Sequence, residues 1–173
     1  MRRRSDSSPV MAGNTAPVEN PARWLRGIAL DLLARREHSV QELREKLLSK
    51  TGEDHASLVP DVINALENER LVSDERFAAV FVRYRAGKGY GPQVIRQELR
   101  QRGVMAELVA EAIESGEQDW FELARQACRK RFGSRPPKDW PETAKRLRFL
   151  QYRGFSGEQA RQATGADACS DDD

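Results

Sequence analysis

Leu66-Glu67-Asn68-Glu69-Arg70-Leu71, Leu99-Arg100-Gln101-Arg102-Gly103-Val104 and Leu150-Gln151-Tyr152-Arg153-Gly154-Phe155 are three versions of one phrase. In each, a leucine is followed by three residues, then Arg or Gly, then an apolar residue. Glycine takes the left-handed conformation that ends a helix, and the apolar residue after it folds back on the last turn. The phrase reads as a helix C-terminus followed by a hydrophobic plug. Its recurrence predicts a repeat protein.

Working outward, helix signals fill the intervals between the phrases. Asn20 before Pro21 is an N-cap with proline at the first helical position, and Trp24, Leu25, Ile28, Ala29, Leu32 and Leu33 recur on one face as far as Arg36. Ser39 with Glu42 forms a capping-box pair ahead of Leu43, Leu47 and Leu48, and Gly52 ends that helix. A third helix starts near Ser57, tolerates Pro60 in its first turn and buries Val59, Val62, Ile63 and Leu66.

The pattern then repeats. Ser73 caps a helix with Asp74 and Glu75 in its first turn and Phe77, Val80, Phe81 and Tyr84 at helical spacing. Pro92 opens the next helix, through Ile95 and Leu99, and Leu108, Val109, Ala112 and Ile113 line another that ends at Gly116. A third set begins at Asp119 with Trp120, Phe121, Ala124, Ala127 and Cys128, and continues from Pro141 to Leu150. It closes with a thin helix, capped by Ser156 and Gln159, that offers Ala160 and Ala163. Trp24, Phe77, Phe81 and Phe121 are assigned to the core.

The expected fold is therefore all-α: three tandem three-helix repeats, each of helix-turn-helix size, stacked into an elongated, curved molecule. The repeats are placed at 20–72, 73–117 and 118–165. An N-terminal tail, 1–19, and an acidic C-terminal tail, 166–173, have little to bury and are expected to be disordered. Charged residues make up 32% of the chain and aromatics 7%, which disfavours a strand-rich fold. No apolar run approaches the ~20 residues of a membrane span, and 1–20 lacks the apolar core of a signal peptide. A cytoplasmic protein without membrane contact is expected, with Cys128 and Cys169 as reduced thiols.

The residue pattern favours binding over catalysis. His38 and His55 are the only histidines, and neither has a Cys or His at ligand spacing, so no metal, no cofactor and no enzymatic activity are expected. Gly-Lys-Gly-Tyr-Gly at 87–91 has the glycines of a phosphate-binding loop, but neither the Walker spacing nor a preceding strand. It reads as a turn between helices.

Charge is distributed unevenly. Residues 24–73 contain seven basic and nine acidic side chains, 74–116 seven and six, and 117–165 eleven and six. In the third repeat Arg125, Arg129, Lys130, Arg131, Lys145, Arg146, Arg148 and Arg153 are candidates for a surface facing DNA phosphates or an acidic protein patch. The plainer alternative is a solvated face. Arg83, Arg85, Lys88, Arg96, Arg100 and Arg102 form a second candidate group, some of which must pair with Glu98 or other acids. A modest basic patch without base readout gives weak, non-specific affinity for single- and double-stranded DNA, roughly 10⁻⁴ to 10⁻⁶ M at physiological salt.

Residues 66–104 carry more than a repeat. The run Leu-Glu-Asn-Glu-Arg-Leu-Val-Ser-Asp-Glu-Arg-Phe-Ala-Ala-Val-Phe-Val-Arg-Tyr-Arg, followed by Gly-Lys-Gly-Tyr-Gly-Pro-Gln-Val-Ile-Arg-Gln-Glu-Leu-Arg-Gln-Arg-Gly-Val, resembles the RecX family, regulatory proteins of the bacterial recombinase RecA. The matching elements are 74–78, Phe81, Arg85, Lys88 with Gly89, 95–99, and Gly103 with Val104. The similarity extends over about 29–164, with 152–155 its clearest echo in the third repeat. The resemblance implies a non-enzymatic modulator that binds RecA filaments on DNA, lies in the filament groove and limits filament growth, ATP hydrolysis and strand exchange.

Two features depart from the family pattern. Where many relatives have an acidic pair at the helix start, this chain has Ser73 before Asp74, and the serine can still cap the helix. The 133–139 connection, with Pro136 and Pro137, is longer and leaves the geometry of the last two helices open. A helix-turn-helix transcription regulator would instead read one major-groove site, usually as a symmetric dimer, and a pure adaptor is the third reading. Three modules make a longer surface than one half-site requires. A monomer is expected, with exchange of modules between chains as the alternative.

Overall fold

Asn20 accepts a hydrogen bond from the Arg23 N–H at 3.0 Å and Pro21 takes the first helical position, which starts α1, Pro21–Leu33. The structure, a computed structural model, describes residues 20–115 and 118–165. The expected disordered tails, the Gly116 helix end and Cys169 lie outside the described residues. Ser39 accepts from the Glu42 N–H at 3.0 Å to start α2, Val40–Thr51. A short 3₁₀ turn, Ala56–Leu58, leads into α3, Val59–Asn68.

Ser73 caps α4, Asp74–Gly87, by accepting from the Arg76 N–H at 3.2 Å, so the serine does what a helix start requires. Pro92 opens α5, Pro92–Gln101, and α6 follows at Ala106–Glu114. Asp119 and Asp139 cap α7, Trp120–Phe132, and α8, Trp140–Tyr152, and a reciprocal Ser156–Gln159 capping box starts α9, Gly157–Thr164.

Extensive helix packing stays within three triplets, α1–α3, α4–α6 and α7–α9. Each triplet has a separate apolar core. Leu25, Leu43, Leu47 and Ile63 centre the first, Phe77, Val82, Ile95 and Leu99 the second, and Ala124, Cys128, Leu150 and Phe155 the third. Trp120 and Leu123, at the start of α7, pack against both the second and third cores. The architecture is all-helical among the described residues, with three tandem three-helix repeats.

The three phrases share one geometry. Arg70, Gly103 and Gly154 all have positive φ, at 58°, 77° and 89°. The amides of Leu71, Val104 and Phe155 return to the carbonyls of Leu66, Leu99 and Leu150 at 2.8, 3.2 and 3.1 Å, and the residue before each bonds three residues back. This is the Schellman closure of a helix end. The plugs differ, because Val104 and Phe155 are buried while Leu71 is 37% exposed and Val72 fills its place. The phrases are also out of register: the first ends α3, the third helix of its repeat, whereas the others end the middle helices α5 and α8.

Other expectations shift by part of a turn. The first helix stops at Leu33 rather than Arg36, and Trp24 lies at its edge, 37% exposed, meeting the His55 ring edge-on. On α4 the buried stripe is Phe77, Ala78, Val82 and Ala86, leaving Val80 and Tyr84 outside. Two adjacent apolar stripes satisfy the same three-to-four-residue spacing there, so periodicity could not choose between them. Phe77 is buried, and Phe81 and Phe121 are half-buried.

The middle helices α2 and α5 each receive the end of the next middle helix. The α8-terminal turn docks on the N-terminus of α5, where the Gly91 N–H donates to the Arg153 carbonyl at 2.8 Å and the Gln93 N–H to the Gly154 carbonyl at 3.0 Å. Pro92 has no N–H, so these bonds satisfy the first free donors of α5. The contact is backbone against backbone: a Cβ on Gly91 would lie 2.4 Å from Gly154 and Phe155 main-chain atoms. The α5-terminal turn docks likewise on α2. There the Ser39 hydroxyl donates to the Arg102 carbonyl at 2.8 Å, and the Val40 N–H donates to the Asp74 carboxylate at 2.8 Å.

Gly91 has φ −88°, which alanine adopts freely, so Gly91→Ala tests the junction without backbone strain. It should destabilise the protein by about 1–3 kcal/mol through overpacking. Gly87→Ala, at a helical position with nothing within 4 Å of the added carbon, should instead gain up to about 1 kcal/mol. Equal melting temperatures for the two variants would contradict the close approach.

Candidate functional site

The fourteen cations singled out from the sequence separate into three groups. Arg85, Arg102, Arg125, Arg129 and Arg146 belong to internal ion pairs. Arg85 holds both carboxylate oxygens of Glu98 and stacks over the Tyr90 ring at 3.6 Å. Arg102 spans the first junction, reaching Glu42 at 3.1 Å while lying 4.6 Å over the Phe81 ring. Arg125 and Arg129 share Glu122, at 2.8 and 2.6 Å. Arg146 is buried, pairs with Glu142 at 2.6 Å and donates to the Arg135 carbonyl at 2.8 Å.

A second group converges. Lys88, Lys130, Arg131 and Arg153 line one cleft of about 450 Å³ between the second and third repeats. No acidic side chain among the described residues lines it, and Leu123 and Phe149 form apolar wall. The turn after α4 carries Lys88, residues 126–131 of α7 carry Lys130 and Arg131, and the α8-terminal turn carries Arg153. The α5 junction sets the distance across this cleft, because Arg153 is the residue whose carbonyl holds the Gly91 amide. Arg153 also lies 4.7 Å over Tyr90, the same ring that Arg85 stacks on. Tyr90 thus orders two cations, a role its place in the Gly-Lys-Gly-Tyr-Gly turn did not announce.

The remaining candidates are scattered. Arg83, Arg100, Lys145 and Arg148 are exposed and Arg96 is half-buried, and none lines the cleft. Sequence reasoning missed Arg135, which lies in the 133–139 connection. With Arg125, Arg129 and Arg146 it lines a second recess of about 260 Å³ on the other side of α7. Cys128 lies against the Arg146 guanidinium there, and burial pushes its thiol up despite that neighbouring charge.

Electrostatics explain which cations are available. Hydrogen bonds from Arg125 and Gln126 hold the Glu122 carboxylate below the usual range, and the Lys138 N–H and Arg146 do the same for Glu142. These acids stay ionised near neutrality and occupy their arginines. Lys88, Lys130, Arg131 and Arg153 lie within one recess without such a carboxylate. Their fields add over the ~8 Å screening length at physiological salt, which favours a polyanion crossing the cleft.

A helical array of three-helix modules, with cations gathered at a module junction, defines a modular helical-repeat protein. The chain belongs to the RecX family. Its three domains match in order: RecX, first three-helix domain, at 26–57, the second at 73–113 and the third at 117–164. The Regulatory protein RecX of Halorhodospira halophila is 46% identical over 142 residues, covering 82% of this chain and 87% of that one. The Xanthomonas citri protein of the same name is 45% identical over 139 residues, covering 80% and 85%. The crystal structure of RecX from Lactobacillus salivarius shares the fold, with a TM-score of 0.69 at 20% identity, covering 84% of this chain and 96% of that one. No helix among the described residues is long and apolar enough to cross a membrane.

The first junction contains a histidine whose titration is shifted by burial. His38, buried beside the Ser39 cap, lies 3.0 Å from the Arg36 carbonyl, and burial holds it below the ordinary imidazole value of 6.5. The unfolded chain then takes up a proton before the folded one does. Stability is full above 6.5 and is lost as pH falls below it. Asp74 works in the opposite sense, since burial raises its carboxyl above 3.8, and its contribution lies at lower pH. Denaturation measured between pH 7.5 and 5.5 should show stability falling with pH in the wild type, and a flatter slope in His38→Gln. Identical slopes would remove His38 as the cause.

Proposed function

We propose that this protein regulates the bacterial recombinase RecA by binding its nucleoprotein filament, mainly as an inhibitor of filament growth, ATP hydrolysis and strand exchange. Membership of the RecX family supports a regulatory role, and the carboxylate-free cleft lined by Lys88, Lys130, Arg131 and Arg153 supports contact with a polyanion. In this reading the cleft follows the phosphate backbone, and neighbouring repeat surfaces contact RecA subunits. Non-specific DNA affinity is weak by itself, and the filament supplies the additional contacts. The activity is non-enzymatic and takes place in the cytoplasm.

The paired arginines play a supporting part. Arg85 and Arg102 fix the turn and the first junction, so their removal reaches the surface through the fold. Lys88, Lys130, Arg131 and Arg153 are the side chains assigned to phosphate contact, and Arg83, Arg96, Arg100, Lys145 and Arg148 remain candidates for the RecA-facing side.

Added to RecA on single-stranded DNA with ATP, the protein should lower steady-state ATP hydrolysis at less than one copy per RecA. One molecule bridging subunits or blocking a growing end affects many RecA molecules at once. Lys88→Ala with Lys130→Ala and Arg131→Ala should weaken DNA binding and reduce its salt slope by about 0.7 per lost single-strand contact. Unchanged ATPase, together with binding to one duplex sequence at least ~10³ more tightly than others, would contradict the reading and favour a sequence-specific transcription regulator.

A further inference from the structure

The recess lined by Arg125, Arg129, Arg135 and Arg146 lies apart from the cleft lined by Lys88, Lys130, Arg131 and Arg153. Four guanidinium groups face two carboxylates, Glu122 and Glu142, which leaves a surplus of two positive charges. Arg146 is the deepest of the four, with a side chain only 5% exposed, and its Nε–H is buried without a hydrogen-bond partner. Gly165 also lines this recess. The residues that follow it are Ala166-Asp167-Ala168-Cys169-Ser170-Asp171-Asp172-Asp173. A segment with four aspartates, Asp167, Asp171, Asp172 and Asp173, thus follows the rim of an arginine-rich pocket.

We propose that residues 166–173 dock in this recess as an internal acidic ligand, and that they compete there with nucleic acid for the basic surface of the third repeat. Reach and charge both fit. Eight residues extend at most about 29 Å, and Asp167 lies only two residues beyond a lining position. A helix with its side chains is about 10–12 Å across, so the later aspartates can also reach Lys130 and Arg131 on the cleft side of α7. Tethering gives a local concentration in the millimolar range, enough for weak, screened contacts to be occupied in cis. An external polyanion with many phosphates displaces such a ligand, whereas a short one does not. The docking half of the proposal stands independently of RecA. The competition half rests on the nucleic-acid reading above.

Cys169 provides the probe. Cys128 is buried, so a nitroxide reagent modifies Cys169 in the full chain, with a Cys128→Ala chain as the control for labelling. Paramagnetic broadening of the Arg129, Ser134 and Arg135 amide signals is compared with that in a chain carrying Asp167→Asn, Asp171→Asn, Asp172→Asn and Asp173→Asn. An undocked tail of equal length broadens both chains alike. Docking predicts stronger broadening with the aspartates, falling to the asparagine level at about 1 M salt, where screening acts within ~3 Å. Equal broadening in the two chains overturns the proposal. Adding a long oligothymidine should bring the aspartate chain to the asparagine level. Persistent broadening with the oligonucleotide bound overturns the competition. If docking is seen but no oligonucleotide binds, the nucleic-acid reading fails while the docking stands.

Discussion

The left-handed turn that closes a middle helix is the constraint on which the arrangement of the repeats depends. A helix end leaves carbonyls without partners, and a helix start leaves amides without partners. In this chain the two needs meet across a module boundary. The Arg153 and Gly154 carbonyls accept from Gly91 and Gln93, and Pro92 contributes no amide at the position between them. The positive φ at Gly154 points its peptide toward the neighbouring helix, and the missing side chain at Gly91 lets the two backbones meet. The first junction is bonded through side chains, Ser39, Asp74 and the Arg102–Glu42 ion pair, and Gly103 packs closely against Gln41.

That constraint determines where charge appears on the surface. Lys88 comes from a turn, Lys130 and Arg131 from a helix, and Arg153 from the docked turn itself, so the cleft exists only when the second and third repeats are seated. Several other arginines, including Arg85, Arg102, Arg125, Arg129 and Arg146, are held in ion pairs within or between repeats. Exposed pairs of this kind contribute little stability individually, about 0–1 kcal/mol, so their main effect is on orientation and on which cations remain free. Arg102 and Arg153 each lie over an aromatic ring as well, which fixes guanidinium planes close to the two junctions.

Much of the fold was legible because its signals are local. Asn20, Ser39, Ser73, Asp119 and Ser156 cap helices as their sequence context requires, and the all-helical composition leaves little competition from strands. The repeated phrase correctly marks three left-handed helix ends, although Arg70 adopts that conformation without being glycine. What it does not reveal is register, since Leu66 ends a third helix and Leu99 and Leu150 end middle ones. The site was less legible. Charge counting found the basic third repeat, but which cations converge depends on residues far apart in sequence, such as Lys88 and Arg153 on one cleft, and Arg102 finds its carboxylate, Glu42, in another repeat. Arg135 escaped notice because a proline-containing connection carries no periodicity from which its direction can be read.

Amide hydrogen exchange at Gly91 and Gln93 tests the central claim, that backbone bonds between repeats hold the modules in one arrangement. Both donors sit at a helix N-terminus, where an isolated module would leave them open to water. The expected result is protection of these two amides approaching that of Ile95 in the core of the same repeat. Rapid exchange at Gly91 and Gln93, with the Ile95 and Leu150 amides still protected, would show folded repeats that are merely tethered and would contradict the account.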